Sequence, residues 1–148
     1  MRLMIINGPN INMLGIREKN IYGNVSYLDL LDKINIWAKE LGVDVNCFQS
    51  NHEGEIIDFI QKAYFDKYDG IIINPAGYTH TSIAILDALK SVNLPVIEVH
   101  ISDIYSREEF RKKSFIKEAC LTSIIGHGIE GYHMALELMQ KELKERKK

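Results

Sequence analysis

Two stretches of the chain carry side chains that could move protons. The first is Val96-Ile97-Glu98-Val99-His100-Ile101-Ser102, an apolar run interrupted by one carboxylate and one imidazole. Side chains two apart on a strand share a face, so Glu98 can lie beside His100. A carboxylate that holds one ring nitrogen leaves the other aimed and ready to exchange a proton. A histidine merely satisfied at a strand end is the alternative for these seven residues. The second stretch puts Arg17 and Tyr22 in one long connection. A free tyrosine titrates near 10, so serving as a base near pH 7 requires roughly 4 kcal/mol in favour of the phenolate. One close guanidinium lowers an acid's pKa by about one to three, which qualifies Arg17 as an activator, with Arg107 as further support. A loop tyrosine packed on the surface is the alternative here.

Such groups need a frame, and the hydrophobic pattern supplies one. Leu3–Ile6, Val43–Phe48, Gly70–Ile73, Val96–Ser102 and Ser123–Ile125 read as short apolar strands. Pro95 stands where a strand can begin without losing a ladder bond. Between the strands lie amphipathic helices. One runs from Ser26 to Gly42, opened by a Ser26-x-x-Asp29 capping box and closed by the glycine, with Leu28, Leu31, Ile34, Ala38 and Leu41 on one face. A second is opened by Ser50-Asn51-His52-Glu53 and runs to about Lys67, with Ile56, Ile60 and Tyr64 inward and His52 as a first-turn surface residue. A third starts at Thr81-Ser82 and ends near Lys90. A short helix starting at Ser106 contains Arg107 and Arg111. A last one carries Ile129, Tyr132, Leu136, Met139 and Leu143 on its inner face, after Gly126-x-Gly128. Strict alternation of this kind predicts a parallel sheet flanked by helices on both faces. Five strands in this length fit the flavodoxin-like doubly wound order 2-1-3-4-5. A Rossmann half with an extra edge strand is the alternative.

That fold locates the chemistry. Ligands of such sheets bind beyond the carboxyl ends of the strands, where Asn10, Asn74 and His100 follow strands one, three and four. The convergence favours a catalytic His100. The connection from residue 8 to residue 25 is long for a compact domain and shows no sustained period, so a functional loop is expected there.

Composition narrows the possibilities. The 148 residues fit a single domain over 1–148, and a chain of this size removes about 68–70% of its unfolded surface from water. A formal net charge of −2 gives no electrostatic case for nucleic acid or a membrane surface as partner. Two cysteines, Cys47 and Cys120, make neither a disulfide framework nor a thiolate metal site, and a cytoplasmic location is the expectation. No apolar run approaches the roughly 20 residues that span a bilayer. The phosphate-cradling motifs are missing, since Gly8-Pro9-Asn10 is not GxGxxG. His80 and His100 lack a third metal ligand. No metal and no cofactor are expected, and proton chemistry on a small polar molecule remains.

Several blocks together resemble one family. They are Asn7-Gly8-Pro9-Asn10-Ile11-Asn12-Met13-Leu14-Gly15-x-Arg17-Glu18-x-x-x-Tyr22-Gly23, Gln49-Ser50-Asn51-His52-Glu53-Gly54-Glu55, Asn74-Pro75-Ala76-Gly77-Tyr78-Thr79-His80-Thr81-Ser82, Glu98-Val99-His100-Ile101-Ser102 and Arg107-Glu108-x-Phe110-Arg111. In this order they are similar to the type II 3-dehydroquinate dehydratases, over nearly the whole chain. Two departures stand out. Asp103-Ile104-Tyr105-Ser106 occupies the place of the more usual Asn-Ile-His-Ala, and Ala76-Gly77 that of Gly-Ala or Ala-Ala. Asp103 brings a negative charge beside a site that must accept an anion.

The resemblance implies dehydration of 3-dehydroquinate to 3-dehydroshikimate, in the shikimate pathway, by anti elimination through an enolate. It implies Tyr22 as the base, Arg17 as its activator, His100 as the acid oriented by Glu98, and Asn10 holding a water at the enolate oxygen. Asn74 and the backbone of Ile101 and Ser102 would hold the substrate carboxylate. His80, Arg111 and Asp87 would bind hydroxyls, Asp87 across a subunit boundary. The loop would close as a lid, and the assembly would be a homo-oligomer, a dodecamer built from trimers. A flavodoxin-like binding module for a nucleotide or flavin is the rival outside enzymology. It predicts a coloured or nucleotide-bound protein.

Overall fold

The computed structural model describes residues 1–148. Five parallel strands, β1 (Arg2–Asn7), β2 (Asp44–Gln49), β3 (Gly70–Asn74), β4 (Val96–His100) and β5 (Thr122–Ile125), form one sheet in the order β2-β1-β3-β4-β5. Five helices accompany them: α1 (Lys19–Tyr22), α2 (Tyr27–Leu41), α3 (Glu53–Phe65), α4 (Ile83–Val92) and α5 (Glu130–Arg146). This is the doubly wound order expected from the sequence. β1, β3 and β4 carry almost unbroken apolar side chains because helices cover both sides of the sheet. Leu3, Ile5, Ile72, Ile97 and Val99 pack with α2 and α5, whereas Met4, Ile6, Ile71, Ile73 and Val96 pack with α3 and α4. No helix is long and apolar enough to cross a membrane.

Local rules account for most boundaries. Ser26 and Asp29 form the reciprocal capping box at α2, and Gly42 ends the helix with φ 70°, a left-handed conformation that suits glycine. The apolar stripe of α2 is rotated from the expected one. Leu30, Ile34, Trp37 and Ala38 are buried, while Leu28, in the first turn, is 71% exposed. On α3 the inward series is Ile56, Ile60 and Ala63, with Tyr64 exposed. The expected box at Ser50 does not cap α3. Its hydroxyl accepts from the His52 backbone N–H, and His52 itself occupies the cap position. The segment after β4 forms short 3₁₀ turns at Ile104–Ser106, Glu109–Arg111 and Lys117–Ala119 instead of one helix. The connection between β1 and α2 holds a 3₁₀ turn, Ile11–Met13, and the single turn of α1.

Candidate active site

The carboxyl ends of β1, β3 and β4 open into a cavity of about 170 Å³. Asn10, Arg17, Tyr22, Asn74, His80, His100, Ile101, Ser102, Arg107 and Arg111 line it. Of the residues expected from the sequence, Glu98 stands directly behind His100, and Asp87 alone is elsewhere, exposed on α4. A wider open groove of about 670 Å³ along β5 contains none of them.

The rigid side of the cavity is built on β4. Glu98 and His100 are both buried, and His100 Nε2 lies 2.5 Å from Glu98 Oε2. The carboxylate can only accept while charged, so Nε2 carries the proton and Nδ1 is left for the cavity. Glu98 accepts two further bonds of 2.8 Å, from Ser114 Oγ at Oε2 and from Ser123 Oγ at Oε1. Burial opposes its charge. The bonds from His100, Ser114 and Ser123 outweigh burial and hold the carboxyl below the usual carboxylate range. Neither serine was singled out in the sequence, although Ser123 is the register partner of Glu98 once β5 is placed beside β4. Beyond His100 the ladder ends, and the Ile101 and Ser102 backbone N–H groups have no acceptor in the protein. His80 Nδ1–H donates to the Lys113 carbonyl at 2.7 Å, which turns Nε2 free. Burial pushes the His80 imidazole below its ordinary value, with His100 and Arg111 adding repulsion against the Lys113 bond.

The opposite side is brought by the connection between β1 and α2. Arg107 Nη1 donates to the Tyr22 hydroxyl at 2.7 Å and also reaches Ser102 Oγ at 3.2 Å. The Arg17 guanidinium lies 4.5 Å from the Tyr22 ring centroid. The direct contact to the phenol oxygen thus comes from Arg107, which the sequence offered only as support. Glu18 links the two arginines at 3.3 and 3.8 Å, and Glu108 pairs with Arg111. Asp103 does not border the cavity; its carboxylate accepts from the Tyr105 N–H.

The base of this loop is pinned by residues the sequence left without a role. Asn51 Oδ1 accepts from the Asn10 N–H at 3.0 Å, and Gln49 Nε2 donates to the Gly8 carbonyl at 3.2 Å. Gly8 is required by a close approach, since a Cβ there would stand 2.4 Å from the Pro75 oxygen. In chemical terms, a phenol beside two guanidinium groups faces an imidazole–carboxylate pair across a cavity with three arginines and free backbone donors. That arrangement suits an anion from which a proton and a hydroxyl are to be removed.

Residues 1–140 match the family model described as dehydroquinase class II. A 3-dehydroquinate dehydratase of Caldicellulosiruptor bescii is 61% identical over 96% of this chain and 98% of its own length. One from Clostridium perfringens is 58% identical over 97% of this chain and all of its own. The crystal structure of a type II dehydroquinase from Butyrivibrio crossotus superposes with a TM-score of 0.93 at 54% identity, over 95% of this chain and 97% of that one.

Proposed function

The chain belongs to the class II dehydroquinase family, and from that premise we propose the roles by which its residues dehydrate 3-dehydroquinate. It is a hydro-lyase of the shikimate pathway that dehydrates 3-dehydroquinate, and the route we infer is anti elimination through an enolate to 3-dehydroshikimate. The observation that carries the residue roles is the Tyr22 hydroxyl, 2.7 Å from Arg107 and stacked on Arg17, facing the His100–Glu98 pair. Tyr22, as phenolate, takes the proton alpha to the ketone, and the electron pair moves onto the carbonyl oxygen. Arg107 and Arg17 stabilise the phenolate charge. A water on Asn10 donates to the enolate oxygen. When the enolate collapses, the carbon–oxygen bond to the leaving hydroxyl breaks and His100 Nδ1–H protonates it, so that water departs. Glu98 stabilises the imidazolium that makes this transfer. Tyr22 ends protonated and His100 neutral, and one proton passed through solvent restores both.

The substrate carboxylate sits against the Asn74 amide and the free N–H groups of Ile101 and Ser102, with His80 and Arg111 on hydroxyls. The 8–25 loop acts as a lid, opening to admit substrate and closing to exclude water. Chains associate as a homo-oligomer, a dodecamer built from trimers, with Asp87 reaching the site of a neighbouring copy. The exposed position of Asp87 supports this arrangement. A cytoplasmic location accords with a biosynthetic role.

Addition of 3-dehydroquinate to the purified protein, followed by the ultraviolet absorbance of the conjugated enone, tests the activity. In the Tyr22→Phe variant, exchange of the alpha proton with solvent should vanish, whereas His100→Ala should keep some exchange while elimination slows. Near-normal turnover by Tyr22→Phe would remove the phenolate from the mechanism.

A further inference from the structure

Behind the cavity wall lies a buried polar cluster that joins Asn74 to two residues, Asn7 and Tyr132, unused by the chemistry above. Asn7 and Asn74 are register partners at the ends of β1 and β3. Tyr132 of α5, fully buried, reaches up between them. Its hydroxyl donates to Asn7 Oδ1 at 2.6 Å and accepts from Asn74 Nδ2 at 3.0 Å. Asn74 Oδ1 accepts in turn from the Ala76 N–H at 3.1 Å.

The polarity of this chain is set by counting hydrogens. A phenol has one hydrogen to give, and Asn7 Oδ1 takes it. Asn7 keeps this orientation although its own Nδ2 is buried with no partner. Turning the amide over would send the Tyr132 hydrogen toward Asn74, which presents Nδ2 there because its Oδ1 is taken by the Ala76 N–H, and so would leave that hydrogen without an acceptor. With its hydrogen committed to Asn7, the Tyr132 oxygen can only accept from Asn74, so Nδ2 and not Oδ1 faces it. The Asn74 amide is thereby held at both ends, and the second Nδ2 hydrogen remains for the cavity that Asn74 lines. Burial pushes the Tyr132 hydroxyl well above its ordinary range, so the donor persists through the working pH range.

We propose that Tyr132 is a positioning residue for the dehydration: by fixing the Asn74 amide through Asn7, it keeps an N–H and not a carbonyl oxygen against the substrate carboxylate. The inference rests on the carboxylate role proposed for Asn74. A flipped amide would set an oxygen lone pair against an anion, so the network acts on binding and not on proton transfer.

Tyr132→Phe keeps the ring and removes the hydroxyl. Steady-state kinetics on 3-dehydroquinate, well below the variant's unfolding temperature, should show KM raised about tenfold, the size of one lost hydrogen bond, with kcat within about threefold. In an Asn74→Ala background the same change should add no further rise, because the effect passes through Asn74. A KM equal to that of the native protein, or a full additional rise in the double variant, would overturn the proposal. If Tyr132→Phe does not fold, Asn7→Ala frees the Tyr132 hydrogen and should raise KM in the same direction. The Asn74 side-chain amide signals in NMR report on the network independently of turnover. A changed chemical shift of the Nδ2 hydrogen that faces Tyr132 in Tyr132→Phe supports it, and unchanged signals overturn it. Absence of turnover by the native protein would count against the dehydratase reading alone, leaving those signals to decide on Tyr132.

Discussion

The two sides of the cavity are held in different ways. His100 and Glu98 sit on an internal strand, are almost fully buried and are fixed by two serines from separate segments. Tyr22 sits on a single helical turn with no buried residue, reached through the left-handed Glu18. Its hydroxyl is held by Arg107, from the segment after β4. On the proposed roles the acid is preorganised by the fold, whereas the base stands on the connection between β1 and α2 and is held by a contact from another segment. A site divided in this way can admit substrate without disturbing the group whose geometry depends most on burial. The same division predicts that the two halves will fail differently when broken.

Loss of either proton-transfer group should reduce kcat by about 10²- to 10⁴-fold, yet only one should weaken the fold. Tyr22→Phe removes a hydroxyl from a part-exposed loop, and its unfolding free energy should stay within about 0.5 kcal/mol of the native value. His100→Ala leaves Glu98 charged, buried and short of a partner, a change that costs about 3–5 kcal/mol. Denaturant titrations of the two variants check the contrast. Equal stabilities would mean that the β4 pair is not the rigid half.

Gly8→Ala attacks the join between the halves. The new methyl has to push against backbone at Pro75 and cannot be accommodated by a rotamer change. A stability loss of about 1–3 kcal/mol is expected, together with a raised KM, because Asn10 and Asn74 are displaced relative to each other.

Ser123→Ala tests the clamp on Glu98. One oxygen of a buried carboxylate loses its only donor, for about 1–3 kcal/mol. The pH dependence follows from the direction of the shift. Glu98 titrates below the ordinary carboxylate range when folded, so its contribution is present above the unfolded value and is lost as pH falls through the folded one. In Ser123→Ala the folded value rises toward the unfolded one, so the stability that Glu98 contributes is smaller and its loss is complete at higher pH, while the acid loss of kcat should begin at higher pH. His80, also lowered on folding, adds a decline that starts near the ordinary histidine value of about 6.5. Acid titrations followed by circular dichroism check both signs.

The sheet order, the α2 cap and the Glu98–His100 pair were legible in the sequence because each follows from a local rule: alternation, a four-residue box, a spacing of two. The inner stripe of α5 was legible for the same reason. What escaped detection depends on tertiary approach. Leu28 fits the helical period, but in the first turn it points past the sheet. Ser114 and Ser123 acquire meaning only when β5 and the segment before it fold onto Glu98. Tyr132 reads as a core aromatic, and nothing local discloses that its hydroxyl meets two asparagines from strands more than fifty residues earlier. Arg107 was undervalued because its partner Tyr22 lies 85 positions away.

The smallest expected effect concerns the turn at Ala76-Gly77, within the rigid half. Ala76 has φ 53°, a left-handed conformation that costs an L-residue with a Cβ about 1–2 kcal/mol. Gly77 follows with its φ outside that region and with nothing within 4 Å of a built Cβ. The glycine therefore stands one residue after the position that needs it. Exchanging the two, Ala76→Gly with Gly77→Ala, relieves the strain at 76 and leaves the entropy of the unfolded chain nearly unchanged, since glycine is moved and not added. Part of the gain is lost because the Ala76 methyl packs against the core under the sheet. A net stabilisation of about 0.5–1 kcal/mol is expected, read as a shift in the denaturant midpoint at constant slope. A loss of stability instead would show that the methyl's packing outweighs the backbone strain, and that the turn holding the Ala76 N–H on Asn74 is fixed from the core side.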